Sequence, residues 1–291
     1  MISLICSKCS EDWKDVGFAW KRNDNNKIDY YCSNCKGKRK PIRQEYGFQE
    51  MVAKEPYIDL AERVGGFVFN SHHTTDPENI LVIGDIHEPF CLDGYREFCI
   101  KMYSKHQCSH VVFMGDVIDQ HHPSFHSTDP DGLGGGDELD FAIAKIQEWY
   151  KVFPGADVCL GNHDKIILRK AFANGISKRW IKDFKDVLGV DWNFQPSHTI
   201  NGVLFRHGTG QKASPKSGSE MMSVVQGHFH TEAYIHYRVG AGKKIFGAQC
   251  PCGIDRKSYA MAYAEEHPKE AVGCMIIKEY GRLPILEMMD L

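Results

Sequence analysis

HVVFMGDVID, residues 110–119, is a short apolar run that stops at a glycine and gives way at once to two carboxylates. A run of that length closed by a Gly-containing turn reads as a buried strand with its functional groups at the carboxyl end. Three other stretches repeat the plan: NILVIGD (79–85) before it, and DVCLGN (157–162) and VLFRHG (203–208) after it. Between the second and third lies DELDFAIAKIQEWYKVF (137–153). Its Leu139, Ile143, Ile146, Trp149, Tyr150 and Phe153 make one helical stripe, with Asp137 as the cap. Further strands are expected in SVVQGHFH (223–230), YIHYRV (234–239), KKIFGA (243–248) and VGCMIIKEY (272–280). The alternation points to an α/β body of two packed sheets with outer helices.

The polar residues at the strand ends form five motifs in order: GDIH (84–87), GDVID (115–119), GNHD (161–164), RHG (206–208) and GHFH (227–230). One such tetrapeptide means little, because Gly-Asp and His-Gly pairs are common in turns. Five in order supply Asp, His and Asn in the numbers and sequence that a two-metal phosphoester-cleaving site requires.

At 291 residues, 42% of them hydrophobic, the chain can bury a large core. No run approaches the roughly 20 apolar residues of a membrane span, and Lys8 interrupts the opening MISLIC before a signal-peptide core can form. A cytoplasmic location and no membrane partner are therefore expected. Of 11 cysteines, seven lack framework spacing and read as reduced thiols. The other four, Cys6, Cys9, Cys32 and Cys35, form CSKC and CSNC with 22 residues between the pairs, the spacing of a structural zinc ribbon. Such a small segment has too little core to fold without a metal. The expected organisation is a ribbon over residues 1–45, a connector over 46–78 and a catalytic domain over 79–291.

Charge divides unevenly. Residues 1–54 carry 11 Lys and Arg against 7 Asp and Glu, while the remainder carries 24 against 31. A basic ribbon bearing Trp13, Phe18, Trp20, Tyr30 and Tyr31 suits a phosphate backbone or stacked bases, and equally a solvated surface over a few ribbon aromatics.

With these motifs in view, the chain resembles the calcineurin-like metallophosphoesterases, over roughly residues 79–235. The family pattern is D-x-H, GD-x-x-D, GNH-D/E, a His, then G-H-x-H, and every ligand position is filled here. The resemblance implies a four-layer α/β/β/α sandwich of two mixed sheets with a di-metal centre at the strand ends. Carried over by position, it assigns Asp85, His87 and His230 to one metal, Asn162, His207 and His228 to the other, and Asp116 to both. It makes His163 the catalytic group at the leaving oxygen or phosphoryl group, with Asp164 orienting its imidazole. Asp119 is expected to support the site through hydrogen bonds. Mn is the expected active-site metal pair, with Fe, Zn, Co and Ni also accommodated by such donors, and Zn is expected in the ribbon.

One departure narrows the substrate. Ser/Thr protein phosphatases of this superfamily have an Arg after the second motif and a Glu in the third, where this chain has Gln120 and GNHD. That form looks more like the superfamily's nucleases and phosphodiesterases, phage-encoded relatives among them. The leading expectation is a phosphodiesterase acting on nucleic acid. The alternative is a phosphomonoesterase, with the ribbon holding a protein partner; a binding module on a dead fold would not need all seven ligand positions. His121, His122 and His126, in a glycine-rich loop, are candidates to line the substrate cleft.

Overall fold

The computed structural model describes residues 77–125, 129–260 and 269–290, and the backbone of four short strands nearer the N-terminus. The chain divides into two units, Met1–Val68 and Phe69–Leu291. In the first, β1 (Leu4–Ile5) pairs antiparallel with β2 (Asp12–Trp13), and β3 (Ala19–Arg22) with β4 (Ile28–Tyr31). The four cysteines of the expected ribbon, Cys6, Cys9, Cys32 and Cys35, lie outside the described residues, as does His126.

The second unit is built on two mixed sheets. In the six-stranded sheet, β5 (Ile80–Ile83), β6 (His110–Phe113), β7 (Asp157–Cys159) and β8 (Asn193–Gln195) run parallel. The antiparallel strands β14 (Gly273–Lys278) and β15 (Leu283–Met288) extend it beyond β5. The five-stranded sheet orders β12 (Tyr234–Gly240), β13 (Lys243–Gln249), β11 (Ser223–Gln226), β10 (Val203–Arg206) and β9 (Ser197–Ile200). Its β10, β11 and β13 are parallel, and its edges antiparallel.

Alternation along each strand decides what packs where. Ile80, Val82, Val112 and Met114 from the first sheet meet Val203, Phe205, Val225 and Phe246 from the second in one buried cluster. On its other face the first sheet carries α1 (Tyr95–Lys105) and α2 (Gly135–Val152), where Phe113 packs edge-on to Trp149, 5.6 Å between ring centroids. Helix α5 (Ala213–Glu220) packs against β11 and β13. This is the expected four-layer sandwich. Two short helices, α3 (Ile166–Ala173) and α4 (Phe184–Leu188), lie between β7 and β8.

Helix α2 differs from expectation in its phase. It starts at Gly135 after Gly134, not at an Asp137 cap, and its buried stripe is Glu138, Ala142, Ile146, Trp149 and Val152. The cause is Glu138, whose carboxylate turns inward to accept the backbone N–H groups of His121 (2.6 Å) and His122 (2.8 Å). A buried carboxylate is tolerable when backbone amides satisfy it, so a charged residue takes the inward position that sequence pattern would give to Leu139. The cysteines Cys91, Cys99, Cys108, Cys159, Cys250, Cys252 and Cys274 are free thiols, as expected.

Trp149 joins packing to the site. Fully buried, it donates Nε1–H to Glu88 Oε1 at 2.8 Å, next to His87 in sequence. Burial pushes the Glu88 carboxyl up to about 7, against the pull of that hydrogen bond. Trp149→Ala is expected to lower unfolding free energy by about 3–5 kcal/mol, and Trp149→Phe by clearly less. Urea denaturation of both variants checks this; equal losses would show that the indole's volume is not what matters.

Candidate active site

Each motif leaves its strand at the same edge of the two sheets, and the glycines are steric requirements there. A Cβ on Gly161 would stand 2.0 Å from Asp116 Oδ1, and one on Gly227 2.4 Å from Asp85 Oδ1. The backbone turns sharply as well: His87, Asp116 and His228 adopt left-handed φ values of 47°, 47° and 74°. Non-glycine residues hold that conformation at a cost, and such residues cluster where geometry serves function.

The turns bring the side chains into three overlapping groups, each able to hold a cation. Asp85, His87 and His230 form the first and Asp116, His207 and His228 the second, while His87 closes a third with Asp119 and His163; ligand atoms in each group lie within 4.8 Å of one another. Asn162 belongs with the second, its Oδ1 2.8 Å from His207 Nε2. Asp116 Oδ2 stands between the first two groups, 3.1 Å from His207 Nε2 and 3.8 Å from His87 Nε2.

The atoms meet in a way that suits metal ions. His87 Nε2 faces His230 Nε2 at 3.2 Å, and His207 Nε2 faces His228 Nδ1 at 3.2 Å. Asp85 Oδ2 accepts from His228 N–H at 2.7 Å, while Asp85 Oδ1 is buried with no hydrogen-bond partner among the described residues. A shared cation satisfies facing imidazole lone pairs and an orphaned carboxylate oxygen together. Electrostatics agree. Burial works to raise both carboxyls, yet Asp85 and Asp116 stay below the ordinary range, chiefly because of the His207 charge. Burial works to lower His207, but Asp116 and Asp85 raise it to about 9. His87 and His228 are lowered, mainly by burial. The pocket thus favours positive charge at its centre and neutral imidazoles around it.

Residues 78–235 match the family model described as calcineurin-like phosphoesterase, more than half of the chain. The chain belongs to that family. Among solved structures, it is similar to Yfce, a phosphoesterase from E. coli, at 12% identity and a TM-score of 0.37, covering 69% of this chain and 88% of that one. It is also similar to Vacuolar Protein Sorting 29 from Cryptosporidium parvum, at 14% identity and a TM-score of 0.42, covering 74% of this chain and 92% of that one. No curated protein matches the chain. Family membership makes it a metal-dependent phosphoester hydrolase, and no helix among the described residues is long and apolar enough to cross a membrane.

In this phosphoesterase Asp164, expected to orient His163, makes its hydrogen bonds elsewhere. Its carboxylate accepts the backbone N–H groups of Asp116 (2.9 Å), Val117 (3.0 Å) and Gly161 (2.8 Å), tying the second motif to the third. Three converging amides in a buried turn require an acceptor, and this carboxylate supplies it. Burial and the Asp116 charge nevertheless push Asp164 up to about 7. His163 is held by Asp119 instead: its Nδ1 bonds the Asp119 carbonyl at 2.5 Å, and the Asp119 carboxylate lies 3.5 Å away. The same carboxylate accepts from His87 Nδ1 at 2.6 Å, which turns His87 Nε2 toward the first group. That is the hydrogen-bonding role expected of Asp119. His121 is a packing residue, buried against Phe90 and Tyr259 with its Nε2 accepting from Asp129 N–H.

Two outcomes follow. Asp164→Ala strands three buried amides, at about 1–3 kcal/mol each, so it is expected to lower the melting temperature severely. A variant that melts normally would remove Asp164 from this role. Asp119→Asn is expected to fold normally and lose roughly 10- to 100-fold in metal affinity, read by titration of the metal-stripped protein.

Proposed function

We propose that this protein hydrolyses phosphodiester bonds in nucleic acid at the Asp116-centred site. The observation that carries the reading is the paired arrangement itself, two cation-holding groups with one carboxylate between them. Asp85, His87 and His230 would hold one divalent ion and Asn162, His207 and His228 the other, with Asp116 shared. Two such ions supply Lewis acidity toward phosphoryl oxygens and make a water nucleophilic near neutral pH.

The chain's own groups do the rest. Asp119 fixes the His87 ring, so one of its nitrogens stays available. With Nδ1 engaged by the Asp119 carbonyl, His163 has Nε2 left to bind the phosphoryl group or protonate the leaving oxygen. Asn162 contributes an oxygen without adding charge, which keeps the second group from repelling an anionic substrate. Mn is the metal we expect to support activity, and zinc at Cys6, Cys9, Cys32 and Cys35 remains our proposal for the N-terminal segment. The phosphodiester preference draws support from GNHD and Gln120 standing where protein phosphatases of the superfamily carry Glu and Arg.

The test is hydrolysis by the full chain, with added Mn, of single-stranded DNA, duplex DNA, RNA, bis-p-nitrophenyl phosphate and p-nitrophenyl phosphate. Cleavage of polymers and diester is expected; turnover of the monoester alone would make the protein a phosphomonoesterase. Asp116→Asn or His228→Ala should abolish metal loading and turnover. His163→Ala should keep both metals and lose roughly 100- to 10,000-fold in kcat. Loss of metal from His163→Ala would overturn its role.

A further inference from the structure

The segment from Lys165 to Lys185 differs from the acidic body around it. It reads KIILRKAFANGISKRWIKDFK, seven cations against one carboxylate. It begins directly after GNHD, and the Ile166 amide bonds back to the His163 carbonyl. Ile166 is buried, but most of its large apolar side chains do not turn fully inward. Trp180 and Phe172 are each 86% exposed, and Ile167, Leu168 and Ile176 are exposed beside them. Phe125, 59% exposed, adjoins this surface with the Arg169 guanidinium 4.7 Å from its ring centroid and the Lys170 ammonium at 5.2 Å. Lys170 also donates to the Ser124 carbonyl at 2.9 Å, fixing the loop that runs on from Asp119 and Gln120.

Under this surface, between α2, α3 and α4, is a pocket of about 260 Å³. Its walls are mostly apolar, Ile118, Leu139, Ala142, Leu168 and Phe184 among them, with Lys182 at the lining and Asp164 toward the metal-binding groups. Gln120 also lines it. That side chain is only 8% exposed, and its Oε1 has no hydrogen-bond partner among the described residues. A buried carbonyl oxygen without a donor is costly, and the residue that carries it belongs to the pocket wall. The volume falls just below the roughly 300–1,000 Å³ of whole-ligand pockets, which suits one portion of a larger ligand.

We propose that this surface and pocket bind single-stranded nucleic acid beside the metal-binding groups. Trp180 and Phe172 stack on bases, Lys178, Arg179, Lys182 and Lys185 meet phosphates, and the pocket takes one base whose N–H donates to Gln120 Oε1. Flat aromatic faces interleaved with cations are the chemistry that holds single strands without regard to sequence. The excess of positive charge on an otherwise acidic body selects a polyanion. The inference rests on the nucleic-acid reading of the site, and it assigns the strand to the catalytic unit.

Binding of fluorescein-labelled oligo(dT) and oligo(U), about 20 nucleotides long so as to exceed a typical single-strand site, tests this by anisotropy. The full chain is used with its metals in place and strands carrying phosphorothioate linkages, so that cutting is suppressed, with melting temperature as the folding control. Trp180→Ala is expected to weaken binding roughly 5- to 150-fold. Lys178→Ala with Arg179→Ala should flatten the log Kd versus log salt slope by about 0.7 per lost contact. Gln120→Leu should weaken binding as well, whereas Lys243→Ala with Lys244→Ala, on the other sheet, should not. Preference for DNA or RNA in this assay names the polymer, and either supports the inference. Tight wild-type binding that these variants leave unchanged overturns the inference while the nucleic-acid reading stands. Equal losses in the Lys243 and Lys244 variant reduce the effect to net charge and overturn it. A Trp180→Ala protein that turns from dimer to monomer on gel filtration makes the surface a self-association face. Hydrolysis of bis-p-nitrophenyl phosphate without any strand binding sinks both readings.

Discussion

Everything at the strand ends answers to one constraint: Asp85 and Asp116 are almost fully buried, and their charges must be balanced. Two buried carboxylates flanked by four imidazoles are costly in isolation, because burial penalises each ion and facing nitrogen lone pairs repel. Positive charge at the centre resolves both problems at once. The same two carboxylates raise the His207 imidazole to about 9 against the effect of its burial. A family built on two divalent ions has put the same demand to use.

Holding such a site requires a frame that does not relax. Asp164 collects three amides from two different turns, Asp119 fixes two imidazoles, and Glu138 holds the two amides of the next loop. Each is a buried acid satisfied mainly by backbone or by histidine, so the carboxylates around the centre serve as scaffolding as much as chemistry. Trp149 extends the frame into the hydrophobic layer through Glu88.

The strands that carry motifs were legible because they are fully buried, and buried parallel strands read as unbroken apolar runs. β8 and β9, Asn193–Gln195 and Ser197–Ile200, alternate exposed with less exposed residues over three or four positions, too few for a period to emerge. Which residues gather at the site followed from motif order. The partners of Asp164 did not, since backbone amides leave no mark in a sequence. Nor did the left-handed turns at His87, Asp116 and His228, because none of the three is glycine. Gln120 could have been noticed only as the residue standing in place of an expected Arg. The exposed face of Ile166–Ala173 carried a signal in its own composition, but the helix reads as amphipathic, and only burial shows that part of its apolar side is open.

The first two groups of side chains share a further property. Asp85, His87, Asp116 and Asn162 follow strands of the six-stranded sheet, while His207, His228 and His230 follow strands of the five-stranded one. Each group therefore spans both halves of the sandwich, and a bound ion acts as a cross-link between layers otherwise joined by apolar contact. A loaded centre would add to the stability that the apolar layer already gives the sandwich. Bound ions would then oppose the parting of the two sheets at that edge.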